Sequence, residues 1–312
     1  MLNGLPKFFR IAPAVARALE LQMPVVALES TVITHGLPRP DNLSLAHDME
    51  DAVRDSGAVP ATVGVLGGQV VVGLSGAELE YLALNANARK ISARDYAAAI
   101  AQQADGGTTV AGTLIAARTV GIRVFATGGI GGVHRWPPYD VSADLPTLAQ
   151  SPVIVVCAGA KAILDLPATL EMLETLSVPV VGYQTDEFPS FYSRESGLRV
   201  SARAENAEEV AKIAQAHWAL GLNSAVLVVV PPPASVALPR SVVERAVAEA
   251  VAEAERLGIR GQESTPFLLN KVSELTGHSS LKANLALLLN NARVAGEIAR
   301  ALFPLSPHRF EV

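Results

Sequence analysis

Residues 109–135 read TVAGTLIAARTVGIRVFATGGIGGVHR. Three kinds of structure follow one another in this stretch. Thr109–Thr119 has a helical pattern, and Gly121 stands where that helix should stop. Ile122–Ala126 is a short run without strict alternation, as expected of a strand covered on both faces. A loop of glycines then leaves the carboxyl end of that strand. The same order recurs in both directions. Further strands are expected at Val25–Leu28, Thr62–Leu66, Gln69–Gly73, Val153–Cys157, Val178–Gly182 and Ala225–Val230. Helices are expected at Asn42–Asp55, Ala168–Leu176, Ala207–Leu220 and Ser241–Leu257. Asp41 and Asn206 stand at N-cap positions, and Gly221 and Gly258 at stops. This alternation predicts an α/β fold: a mixed, mainly parallel central sheet flanked by helices on both faces. No shift of composition divides the chain, so one domain is expected over residues 1–312.

Composition narrows the function classes. The chain carries 25 Lys+Arg against 30 Asp+Glu, a formal net charge of −5, which gives no footprint for a phosphate backbone. A nucleic-acid partner is therefore not expected. A single cysteine excludes an internal disulfide and a cysteine zinc cluster. The longest apolar run, Ala225–Ala234, falls well short of the roughly 20 residues that a spanning helix needs. The N-terminal stretch MLNGLPKFFRIAPAVARALELQ mixes basic and apolar residues but includes Glu20 and runs into the first strand. It reads better as a surface helix than as a targeting segment. A soluble cytoplasmic protein with no membrane partner follows as the expectation.

In open α/β sheets ligands bind beyond the carboxyl ends of the strands, so the chemistry is sought in those loops. Glu29 ends the first apolar run; burial there would raise its pKa and make a general acid, while the plainer reading is a turn cap. Lys90 is either a solvated charge or an ammonium for a phosphate. Residues 105–113, DGGTTVAGT, open a helix whose free N–H groups suit an anion, or form a tight turn with threonine caps. In Thr127–Arg135, four glycines within five positions allow close backbone approach or positive φ. The dinucleotide fingerprint fails there, because His134 stands where a glycine is needed. A loop cradling a phosphate or sugar is expected instead, with His134 orienting substrate or simply occupying the loop. Asp140, Ser142 and Asp144 offer hard oxygen ligands for Mg²⁺ or Mn²⁺, or Asp144 caps the next helix. Lys161, just past the strand Val153–Cys157, is a desolvated amine able to attack a carbonyl carbon, or half of a buried pair with Asp165. Together these point to carbonyl or imine chemistry on a phosphorylated sugar. The rival readings are an O- or N-glycosidase using paired carboxylates and a regulator that binds a sugar phosphate without turnover.

Eight longer segments carry a resemblance. They are ALESTVITHGLPRPDN (27–42), DGGTTVAGT (105–113), RVFATGGIGGVHR (123–135), DVSADL (140–145), VCAGAKAILD (156–165), PVVGYQTDEFPSFYSRESG (179–197), TPFLLNKV (265–272) and SLKANLALLLNNA (280–292). The chain resembles, from about residue 20 to residue 300, the pseudouridine-5′-phosphate glycosidase family, also called indigoidine-synthase-A-like. The resemblance implies reversible cleavage of pseudouridine 5′-phosphate to uracil and ribose 5-phosphate, in pseudouridine catabolism, by a lyase working through a lysine Schiff base to the opened sugar. It implies Lys161 as nucleophile, Glu29 as proton donor and Asp140 as the ligand of one Mn²⁺ per subunit. Lys90, Val110, Ser142, Ala143 and Asp144 would line the substrate site, with His134 and Asn284 as further members. A homotrimer is also implied.

Overall fold

The computed structural model describes residues 4–137, 139–261 and 264–304; Pro138, in the motif before Asp140, and Met1–Asn3 lie outside them. The chain begins with β1 (Phe9–Ile11), α1 (Pro13–Glu20), β2 (Val25–Leu28), one π-helical turn (Val32–Gly36), α2 (Asp41–Asp55), β3 (Val59–Leu66) and β4 (Gln69–Val72). It continues through α3 (Gly76–Leu84), β5 (Arg89–Ile91), α4 (Tyr96–Ala101), β6 (Gly106–Thr108), α5 (Val110–Val120), β7 (Val124–Ala126) and α6 (Asp144–Leu148). Then follow β8 (Ile154–Cys157), α7 (Leu166–Thr175), β9 (Val180–Tyr183), β10 (Ala202–Ala204), α8 (Ala207–Ala219) and β11 (Val226–Val229). Three helices close it: α9 (Arg240–Leu257), α10 (Ser264–Leu275) and α11 (Ser279–Leu302).

Every apolar run read as a strand is one. The strands without such a run, β1, β5, β6 and β10, are three residues each and exist because neighbours pair with them. The helix ends follow local chemistry. Asn206 caps α8 by accepting from the Glu209 N–H at 2.9 Å, and Gly121 and Gly258 end α5 and α9 in the left-handed conformation that a side chain resists. Asp41 departs from expectation. It is the first residue of α2, Pro40 holds the cap position, and the Asp41 carboxylate acts only through the helix dipole.

The sheet runs β1-β4-β3-β2-β7-β8-β11-β9-β10, with β6 paired to β3 and β5 to β6. Every pairing is parallel except β3 with β4 and β3 with β6, and helices flank the sheet on both faces. The central strands β2, β7, β8 and β11 are wholly buried, which explains their unbroken apolar character. Their register positions the chemistry. Leu28 lies opposite Ala126, and Ala126 opposite Val156, so the chain leaves three adjacent parallel strands at one level. Glu29, Thr127 and Cys157 are the next residues in each. Helix α11 packs on α2 and α8 and lies across β2, β7 and β8.

Candidate active site

The acid corner is built first. Glu29 is 9% exposed, and the fully buried Thr127 hydroxyl donates to its Oε1. Burial pushes the Glu29 carboxyl above its ordinary value. The Lys161 charge opposes this most strongly, then the Thr127 hydroxyl and the Lys90 charge, while Asp144 adds to the rise. The neighbouring Ser30 fixes the end of β2, its Oγ accepting from the Thr108 N–H at 2.9 Å.

Lys161 follows β8 by a tight path. Its N–H donates to the Ile130 carbonyl at 3.1 Å, and the Ile130 N–H donates to the Gly159 carbonyl at 3.1 Å. The strand pairing of β7 with β8 thus continues through the glycine loop and delivers Lys161 on the same side of the sheet as Glu29. The alternative partner for this lysine is otherwise engaged: Asp165 caps α7, accepting from the Ala168 N–H at 3.0 Å. Among the described residues Lys161 forms no ion pair, and it is half-buried.

Lys90 is half-buried on β5 opposite Gly107. Its pKa is held below the ordinary lysine value by burial and then by the Lys161 charge, with Asp144, Glu29 and Asp95 opposing. A cavity of about 530 Å³ opens beside it, lined by His35, Arg89, Lys90, Ile91, Asp95 and Pro266 among others. His35 is held below its ordinary value by burial and by the Lys90 charge.

Of the two uses expected of the loop glycines, positive φ is not taken. Gly128, Gly129, Gly131 and Gly132 all keep negative or extended φ, so none is required for left-handed backbone. What they permit is contact with other parts of the protein. A Cβ on Gly131 would lie 2.3 Å from Ser142 Oγ and 2.8 Å from Asp144 Oδ2, and one on Gly129 would lie 2.6 Å from the Phe191 ring. The anion site expected at the start of α5 is partly filled from within. The Ala111 N–H donates to Asp144 Oδ1 at 2.9 Å, and the Gly112 N–H to Thr109 Oγ1 at 3.2 Å. Asp144 Oδ2 accepts from the Gly131 N–H at 2.8 Å, so this one buried carboxylate clips the helix start to the loop. It is the first residue of α6, after Ala143, and caps nothing there. Val110, the first residue of α5, is 1% exposed.

Residues 132–134 and 140–142 form a small antiparallel ladder, with the His134 N–H on the Asp140 carbonyl and the Ser142 N–H on the Gly132 carbonyl, both at 2.9 Å. His134 is held below its ordinary value by burial, against the pull of Asp140; Lys161 and Lys90 add to the lowering. Among the described residues no three His, Cys, Asp or Glu side chains converge on one point. The half-buried Asp140 carboxylate by itself suits a hydrated hard cation held by one carboxylate and water, and does not suit a tetrahedral zinc.

Comparison with known proteins places the chain in a family. The family model described as indigoidine synthase A like protein matches residues 14–301. The chain belongs to the indigoidine synthase A-like family. Within it, the pseudouridine-5′-phosphate glycosidase of Chloroflexus aurantiacus is 55% identical, over 93% of this chain and 97% of the relative. That of Escherichia coli is 50% identical, over 95% and 96%. The crystal structure of the prealnumycin C-glycosynthase AlnA in complex with ribulose 5-phosphate superposes with a TM-score of 0.88 at 41% identity, covering 95% of this chain and 97% of that one. No helix among the described residues is long and apolar enough to cross a membrane.

Reading this family member from sequence alone missed Thr127 and Asn291, which touch the acid or its support. Thr127 sits within RVFATGGIGGVHR, beside four conspicuous glycines. Asn291 lies in a helical stripe with nothing local to mark it. Asn284 is half-buried on the same helix, two turns earlier and therefore on the same side as Asn291. One consequence of the glycine packing is testable. Gly131→Ala should destabilise the fold by about 1–3 kcal/mol, because the added methyl collides with Ser142 and displaces Asp144 from the α5 clip. An unchanged thermal midpoint would show that the clip yields without cost.

Proposed function

We propose that this protein cleaves the C-glycosidic bond of pseudouridine 5′-phosphate reversibly, to uracil and ribose 5-phosphate, in the breakdown of pseudouridine. The observation that carries this is a carboxyl whose pKa burial raises, Glu29, near an amine, Lys161, that forms no ion pair among the described residues, beyond the ends of neighbouring strands. Glycosidases that use two carboxylates need a leaving oxygen to protonate. A C–C bond offers none, so a different route is needed. Glu29 gives its proton to the ring oxygen as the ribose opens, and the Lys161 amine adds at C1′. Uracil C5 then takes up a proton while the C1′–C5 bond breaks, and the nitrogen lone pair closes the imine. Water hydrolyses that imine, returning the free amine and ribose 5-phosphate. The relatives named pseudouridine-5′-phosphate glycosidase support the substrate, and the sugar phosphate held by AlnA supports the ligand class.

The rest of the site binds and orients. Lys90 supplies positive charge for the phosphate, and Ser142, Ala143, Asp144 and the Val110 backbone line the sugar. His134 and Asn284 would face the base. Asp140 would anchor one Mn²⁺, which when bound supplies positive charge near the substrate oxygens. A homotrimer is part of the same reading; light scattering that returned the mass of one chain would remove it.

Incubation with pseudouridine 5′-phosphate and Mn²⁺ should release uracil, EDTA should suppress the release and added Mn²⁺ restore it. Release from ordinary N-nucleotides instead would favour a carboxylate-pair glycosidase. Binding without release would favour a regulator, and turnover that resists chelation would remove the metal.

A further inference from the structure

We propose that Asn291 is a positioning residue for this reaction: from helix α11 it holds the Thr127–Gly128 peptide that presents the Thr127 hydroxyl to Glu29. For the role of Glu29 the inference rests on the function proposed above.

Asn291 is wholly buried on α11 beside the apolar Leu287, Leu288, Ala295 and Ile298. A buried amide is costly unless it is hydrogen-bonded. Its Nδ2 donates to the Thr127 carbonyl at 2.9 Å and, at 3.4 Å, to that of Gly128. Its Oδ1 has no partner among the described residues. A leucine would fill a similar volume without an orphaned acceptor, so packing does not account for the residue; the donor half does. The Thr127 N–H is held from the other side, on the Val156 carbonyl at 3.0 Å. With both its N–H and C=O anchored, the residue directs its hydroxyl at the Glu29 carboxyl.

That hydroxyl stabilises the ionised carboxylate against burial, beside the charges of Lys161 and Lys90 and against that of Asp144. Losing it leaves Glu29 holding its proton too tightly to give it up. Asn291 lies behind the acid, so its removal should slow the chemical step and leave substrate binding alone.

The test is a double-mutant cycle of Asn291→Leu and Thr127→Val. It is read by kcat and KM and, independently of any substrate, by ¹³C NMR titration of the Glu29 carboxyl, assigned with Glu29→Gln. Each single variant should raise the Glu29 titration by about one pH unit. Each should lower kcat about tenfold, with KM changed less than about twofold. The double variant should match Thr127→Val, since Asn291 acts only through that hydroxyl, and Thr127→Ser should restore both readouts. Additive effects in the double variant, or a Glu29 titration left in place by Asn291→Leu, would overturn the proposal. If Asn291→Leu does not fold, Asn291→Ser, too short to reach the carbonyls, is read by the same criteria. Shifted titrations in a protein that does not act on pseudouridine 5′-phosphate would sink the substrate assignment and leave the positioning role standing.

Discussion

Lys161→Ala should abolish uracil release, by at least about 10⁴-fold, while the fold persists. The size of the effect follows from the bond being broken. In the proposed route uracil departs as a carbon leaving group, and the electrons that expel it in the cleavage direction come from nitrogen attached to C1′. Without the amine there is no covalent intermediate, and proton transfer from Glu29 alone cannot substitute for it. The fold should survive because the backbone bonds of residue 161, with Ile130 and Leu164, do not depend on its side chain, which is half-buried and forms no ion pair among the described residues. Adding borohydride to the wild type with ribose 5-phosphate should reduce the imine to a stable secondary amine, and peptide mass spectrometry should find the sugar on Lys161. An alanine variant that still turned over, or an adduct located on Lys90, would move the nucleophile elsewhere. Lys90 is the informative rival, since burial and the Lys161 charge hold its own pKa down.

Glu29→Gln should cut turnover by about 10²–10⁴-fold and at the same time stabilise the protein above neutral pH. The first effect is the loss of a proton donor that keeps nearly the same shape and can still accept from Thr127. The second follows from the direction of the pKa shift. Glu29 titrates above its ordinary value of 4.5 in the folded chain, so between the two values the folded state binds more protons than the unfolded one. Stability from this group is therefore full below about pH 4.5 and is lost as pH rises through the folded value. Glutamine does not titrate and escapes that loss. Wild-type turnover should likewise fall as pH rises through the folded value, where the acid empties. Thermal midpoints of the two proteins across pH check the stability, and pH–rate profiles check the acid. A glutamine variant less stable than wild type at alkaline pH would contradict the buried-acid reading, and one as active as wild type would remove Glu29 from the chemistry.

These expectations show a cost borne at the site. A carboxyl enclosed at the end of a buried strand is a poor choice for stability, as is the half-satisfied amide of Asn291 behind it. Both are explicable if the proton on Glu29 has to be poised rather than merely stored.

The sequence by itself determined the class of fold, since unbroken apolar runs such as Val153–Cys157 can be stable only as strands covered on both faces, with helices between them to cover them. It also offered Glu29 and Lys161 as candidates by their places just after such runs, while their catalytic roles came from the family resemblance and not from the local pattern. The tertiary structure alone decided what the glycines and Asp144 do. Gly129 and Gly131 make room for Phe191, Ser142 and Asp144, and the start of α5 receives a carboxylate from this chain, contacts between segments that no local pattern encodes. It alone also joined Asn291 to Thr127, 164 positions away. Side-chain periodicity reports which face of an element is covered; only the pairing of β7 with β8 and the crossing of α11 behind them set which polar group meets which carbonyl.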